Sequence, residues 1–83
     1  MAIFFNTINM NLYESKLNTE CVIVDLSCED RLKLRLMELG IFKGERITVK
    51  HKSIFKKTLL VVFSSNCFTL KDEIAKQIKV NYV

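Results

Sequence analysis

The chain has only two glycines, and both fall in one decamer, Arg35-Leu36-Met37-Glu38-Leu39-Gly40-Ile41-Phe42-Lys43-Gly44. Glycine takes positive φ without the steric cost of a Cβ, so each glycine marks a forced change of chain direction. A helix stop at Gly40 and a strand opening after Gly44 confine a helix-to-strand junction to the residues between them. Upstream, Leu32, Leu36 and Leu39 recur at i, i+4 and i+7, giving an amphipathic stripe that Leu34 and Met37 widen. Arg31, Arg35 and Glu38 fall mostly on the opposite side, toward water. Ser27 with Asp30 three residues on reads as a capping box, and Glu29 and Asp30 suit the positive end of the helix dipole.

The rest of the chain reads as short strands. Cys21-Val22-Ile23-Val24-Asp25-Leu26 is rich in β-branched residues and forms the first. Leu12 to Leu17 is a turn or helical piece leading into it, with Asn18 suited to a left-handed turn position. From Arg46 to Ser53 the pattern alternates, with Ile47, Val49 and His51 on one face and Thr48, Lys50 and Lys52 on the other. Leu59 to Phe63 is apolar on both faces, as in a central strand. Ser64-Ser65-Asn66 turns the chain into Cys67-Phe68-Thr69-Leu70. Asp72 to Gln77 is one helical turn, and Ile78 to Val83 is a last strand. Residues 1–11 carry no clear period and are expected to form a loosely ordered tail, with the folded domain over 12–83. About five strands around one core with little helix describe a mainly β small barrel.

A chain of 83 residues supports one core and no more. The formal charge of +4 is uneven, because residues 43–57 hold six basic side chains against Glu45 alone. Such a stripe suits phosphates, an acidic protein surface or anionic lipid head groups, and it is also what an ordinary solvated face looks like. Three cysteines and no signal-like start point to a reducing cytoplasm. No run nears the ~18 apolar residues of a membrane span, so no membrane insertion is expected.

Two glycines cannot build a phosphate-cradling loop, and the single histidine, His51, has no nucleophile paired with it. No enzyme is expected, and no catalytic residue or cofactor. Cys21, Cys28, Cys67 and His51 could form a zinc set, but no Cys-x-x-Cys knuckle occurs. Cys21 and Cys67 read better as small core residues, and Cys28 as a first-turn helix residue, so no metal ligands are assigned. A metal-binding regulatory module remains one alternative. A nucleic-acid-binding barrel is another, although most aromatics lie in apolar runs, with Phe42 and Phe55 beside the basic stripe the exceptions.

The decamer, with Leu70-Lys71-Asp72-Glu73-Ile74-Ala75 and Ile78-Lys79-Val80 at matching spacing, resembles the FeoA family of bacterial ferrous iron uptake over about residues 12–81. Departures fall in turns. Leu17-Asn18 replaces a common Pro-Gly, Lys43 stands where proline often precedes the second glycine, and Ile54-Phe55-Lys56-Lys57 replaces a Gly-Asp-Pro turn. The resemblance implies an SH3-like β-barrel with a helix inserted after the first strand. It also implies an accessory role toward the FeoB-type ferrous iron permease and its cytoplasmic GTPase domain, with no nucleic acid partner. The contact surface expected on that basis comprises Arg31, Arg35, Glu38, Phe42, Lys43, Lys50 and Lys52. Leu36, Leu39, Gly40 and Gly44 are expected to build the helix and turn.

Overall fold

The computed structural model describes residues 10–83. Its elements are β1 (Met10–Asn11), a 3-10 turn (Leu12–Glu14), β2 (Cys21–Leu26), α1 (Asp30–Leu39), β3 (Arg46–Ser53), β4 (Thr58–Phe63), β5 (Asn66–Lys71), α2 (Asp72–Ala75) and β6 (Ile78–Tyr82). Every pairing is antiparallel, in the order β1-β6-β2-β3-β4-β5. Strands β2 to β6 are the five expected. The tail expected over 1–11 lies outside the described residues up to residue 9. Its last two residues, Met10 and Asn11, belong to the sheet, opposite Val80 and Lys79.

The sheet folds over itself because β2 meets β3 only at Cys21–Ile47 and Val22–Arg46. Beyond that seam β2 runs on with β6, while β3 turns away to pair with β4. Leu12, Ile23, Leu36, Ile41, Ile47, Val49, Leu59, Val61, Ile78 and Val80 fill the space between the two halves. Burial of this kind contributes roughly 1.5–3 kcal/mol per large aliphatic side chain. Among the described residues the outer strands β1 and β5 do not pair, so the barrel is not closed.

Three local expectations are corrected. A capping box does form, but at the 3-10 turn. There the Glu14 N–H donates to Asn11 Oδ1 (3.0 Å) and the Asn11 N–H to Glu14 Oε1 (3.1 Å). Ser27 does not cap α1. The N-cap is Glu29, with no side-chain bond; Ser27 lies two residues before it, and its N–H donates to the Gln77 carbonyl (2.8 Å). Cys67 is exposed, since Phe68 and Leu70 take the inward positions of β5 and period-2 alternation turns Cys67 outward. Cys28 is half-buried, in the loop just before α1.

The alternation expected along β3 holds only to Val49. A bulge between Val49 and His51 shifts the register, so His51 faces Leu60 and Lys52 faces the buried Leu59. His51 therefore points outward and is exposed, while Lys52 is drawn in. The Lys52 ammonium donates to the Ser15 carbonyl (3.2 Å) and lies 5.1 Å from the Tyr13 ring centre. The Lys76 ammonium sits 4.8 Å from the same ring.

Candidate functional site

The decamer folds as a pair of fixed corners. At the end of α1 the Gly40 N–H donates to the Met37 carbonyl (3.0 Å) and the Ile41 N–H to the Leu36 carbonyl (2.8 Å). That is the Schellman arrangement, and its usual apolar contact is present, since Leu36 and Ile41 are both buried. Gly40 sits at φ +99° and Gly44 at φ +96°, where side-chain-bearing residues are strained. The Gly44 N–H donates to the Ile23 carbonyl, and the Ile23 N–H to the Glu45 carbonyl, each at 2.8 Å. Both ends of the Ile41–Lys43 segment are thereby anchored, Ile41 is swallowed by the core, and Phe42 and Lys43 are presented to solvent.

Helix α1 is held by one deeply buried side chain, Leu36, with Leu32 partly covered beside it. Leu39, expected to belong to the inward stripe, is the last residue of α1 and is exposed. Leu34 and Met37 are exposed too, Leu34 at 61%. At 100° per residue these two lie roughly 140–200° around the helix from Leu32, so they form a second apolar face and cannot widen the first. With Phe42, 41% exposed, they make an apolar patch that the rest of the described chain leaves uncovered.

Two hollows flank this patch. A cleft of about 360 Å³ between β2, α1 and the loop is lined by Asp25, Leu26, Lys33, Met37, Phe42 and Lys43. A shallower one of about 310 Å³ is lined by Glu29, Arg31, Leu32 and Arg35. Of the expected contact residues, Phe42 and Lys43 meet in the first and Arg31 and Arg35 in the second. Glu38 is exposed on the same helix and lines neither. Lys50 is exposed at the β3 bulge and Lys52 is committed to Ser15 and Tyr13, so neither joins this surface. Lys33 and Asp25 carry no sequence signal as site residues, and Leu34 and Met37, expected to widen the inward stripe, face outward instead. The helical-wheel positions of Leu34 and Met37 were the signal available for them.

The Cys21 and Cys28 thiols do not read as reactive. Burial pushes the Cys28 thiol pKa up, against the lowering pull of Lys33, and burial raises Cys21 against the hydrogen bond from Ser15. Among the described residues no three His, Cys, Asp or Glu side chains converge as a metal-binding group. Among the same residues no helix is long and apolar enough to cross a membrane.

Six antiparallel strands folded over one core, with a helix inserted after the first long strand, define an SH3-like β domain. The chain belongs to the FeoA family, whose FeoA domain model matches residues 10–82. It is 32% identical over 74 residues to a Campylobacter jejuni protein named as a candidate Fe(2+) transport protein A, covering 89% of this chain and 100% of the relative. The NMR structure of a FeoA-like protein from Clostridium acetobutylicum superposes with a TM-score of 0.79 at 19% identity, covering 90% of this chain and 87% of that one. A manganese-dependent transcriptional repressor superposes with a TM-score of 0.81 at 21% identity, over 90% of this chain but 37% of the repressor. At those identities the two structures speak to the fold alone.

Proposed function

We propose that this chain is a non-enzymatic accessory module of ferrous iron uptake. It docks on the cytoplasmic GTPase domain of a FeoB-type permease through the outer face of α1 and the Phe42–Lys43 loop. The observation that carries this reading is the second apolar face of α1. Leu34, Met37 and Phe42 are exposed together on a helix anchored by Leu36, rimmed by charges of both signs, Arg31, Lys33, Arg35 and Lys43 with Asp30 and Glu38. An apolar centre with a polar, charged rim is how protein-binding patches are built. Membership of the FeoA family and the Fe(2+)-transport name of the Campylobacter relative supply the iron-uptake context.

The cytoplasm is the corresponding location. The test is a pull-down of the permease's cytoplasmic domain, with and without guanine nucleotide, using wild type, Arg35→Glu and Met37→Asp. Retention by wild type and loss in both variants supports the reading. No association under any nucleotide condition overturns it.

A further inference from the structure

The turn between β3 and β4 carries the two most exposed large apolar side chains of the described residues, Ile54 at 84% and Phe55 at 98%. They are adjacent and fully outside the core. Lys50 and Lys52 precede them and Lys56 and Lys57 follow, with no acidic residue from Lys50 to Lys57. The turn is also hydrogen-bonded at its base and side. Ser53 pairs with Thr58 across its base, Lys57 sits at φ +54°, the Lys56 N–H donates to Ser53 Oγ (3.4 Å), and the Asp72 N–H donates to the Lys57 carbonyl (2.9 Å). The chain therefore presents an apolar tip with exposed Lys50, Lys56 and Lys57 on either side of it in the chain, while Lys52 is held by Ser15 and Tyr13. Asp72 and Glu73 share a hollow with Lys56, Lys57 and Lys71 at the side of the turn.

We propose that this hairpin tip is an interfacial anchor for anionic lipid membranes. Ile54 and Phe55 enter the headgroup–acyl boundary, and Lys50, Lys56 and Lys57 meet the lipid phosphates and carboxylates. A convex tip needs no matching pocket in a deformable apolar medium, whereas a protein partner would need one. Lysines beside such a tip extend their stems over apolar surface and keep their charges at the headgroups. Ile54 offers no stacking face for a nucleic acid base, which argues against a single-stranded partner. The contact is with the membrane surface only, and no element crosses it. Phe42 precedes β3 and Phe55 follows it, so the length of the strand, roughly 25 Å at about 3.3 Å per residue, separates this tip from the α1 patch. The inference stands independently of the permease reading.

The test is co-sedimentation of the full chain with phosphatidylcholine vesicles, with and without roughly one-third phosphatidylserine to supply the negative surface. Binding is expected to the anionic vesicles, to weaken as salt rises, and to be slight on phosphatidylcholine alone. Phe55→Ser should lower the partition about tenfold, the loss expected for one large apolar side chain. Its thermal midpoint should stay unchanged, since the ring touches no core residue. Lys50→Glu with Lys56→Glu should remove the binding. The sequence has no tryptophan, so Phe55→Trp is a single-site reporter whose emission should shift to the blue on anionic vesicles. Absence of binding to anionic vesicles, binding indifferent to Phe55→Ser, or unshifted Phe55→Trp emission would each overturn the proposal. So would a Phe55-dependent affinity for single-stranded RNA or an acidic polypeptide without vesicle binding.

Discussion

Gly40 and Gly44 share nearly the same positive φ, yet a side chain would meet different surroundings at each. A Cβ on Gly40 would lie 3.2 Å from the Phe63 ring, whereas one on Gly44 would meet nothing within 4 Å. The Phe63 ring cannot readily give way, because it stacks on Phe68 with centroids 5.1 Å apart. Gly44→Ala should therefore cost only backbone strain, about 1–2 kcal/mol. Gly40→Ala should cost that plus about 1–3 kcal/mol of overpacking. Urea melts of the two variants check the ranking, and adding Phe63→Leu to Gly40→Ala should recover part of the difference. Both glycines were legible in the sequence because a forced positive φ is a property of the residue itself. Lys52 was not. Its inward turn depends on a bulge two residues earlier, at Lys50, and alternation read from the sequence assumes an unbroken register.

At the scale of elements, α1 presents one apolar stripe to the core and another to solvent, so its leucines should respond oppositely to change. Leu36→Ala removes the helix's one fully buried anchor and should cost about 2–5 kcal/mol. Leu34→Gln exchanges an exposed apolar side chain for a good helix former and should move stability by less than about 0.5 kcal/mol. Thermal melts of both variants test this. A large loss in Leu34→Gln would mean that its face is covered in the folded chain. The helix end, the strands β2 to β6 and the Ser64–Ser65 turn were legible because each has a local signal. Ser64 and Ser65 do take the positive φ values that a two-residue hairpin requires, +50° and +64°. The N-cap was misplaced because Ser27 offers the right chemistry to a helix, but α1 begins only at Asp30, which puts Ser27 two residues before the N-cap Glu29. The outward role of Leu34 and Met37 was also missed, since apolar content alone does not say which side of a helix finds a sheet.

Across the whole molecule, the fold depends on a narrow seam between its two half-sheets, and Cys21 occupies that seam. It pairs with Ile47 on one side and Tyr82 on the other, and it is fully buried. Neither neighbour is visible from the local sequence, because the seam is made by residues far apart in the chain. Burial raises the Cys21 thiol pKa above the ordinary 9.0, and Glu20 adds to the effect while the Ser15 hydrogen bond opposes it. The folded chain thus keeps its proton at pH values where the unfolded chain begins to lose one. When the native state binds more protons, stability falls as pH rises. The fall should begin near the ordinary thiol value, 9.0, and continue until the buried thiol itself ionises. Cys28, half-buried and shifted the same way, adds to the slope. A thiolate forced into the seam would separate the two half-sheets, so the loss should be global and cooperative. Thermal midpoints measured from neutral pH through the alkaline range should therefore decline more steeply in wild type than in Cys21→Ala. That variant starts lower, because it leaves a cavity at the seam, and has less to lose. Parallel curves for the two would show that Cys21 does not govern the alkaline limit.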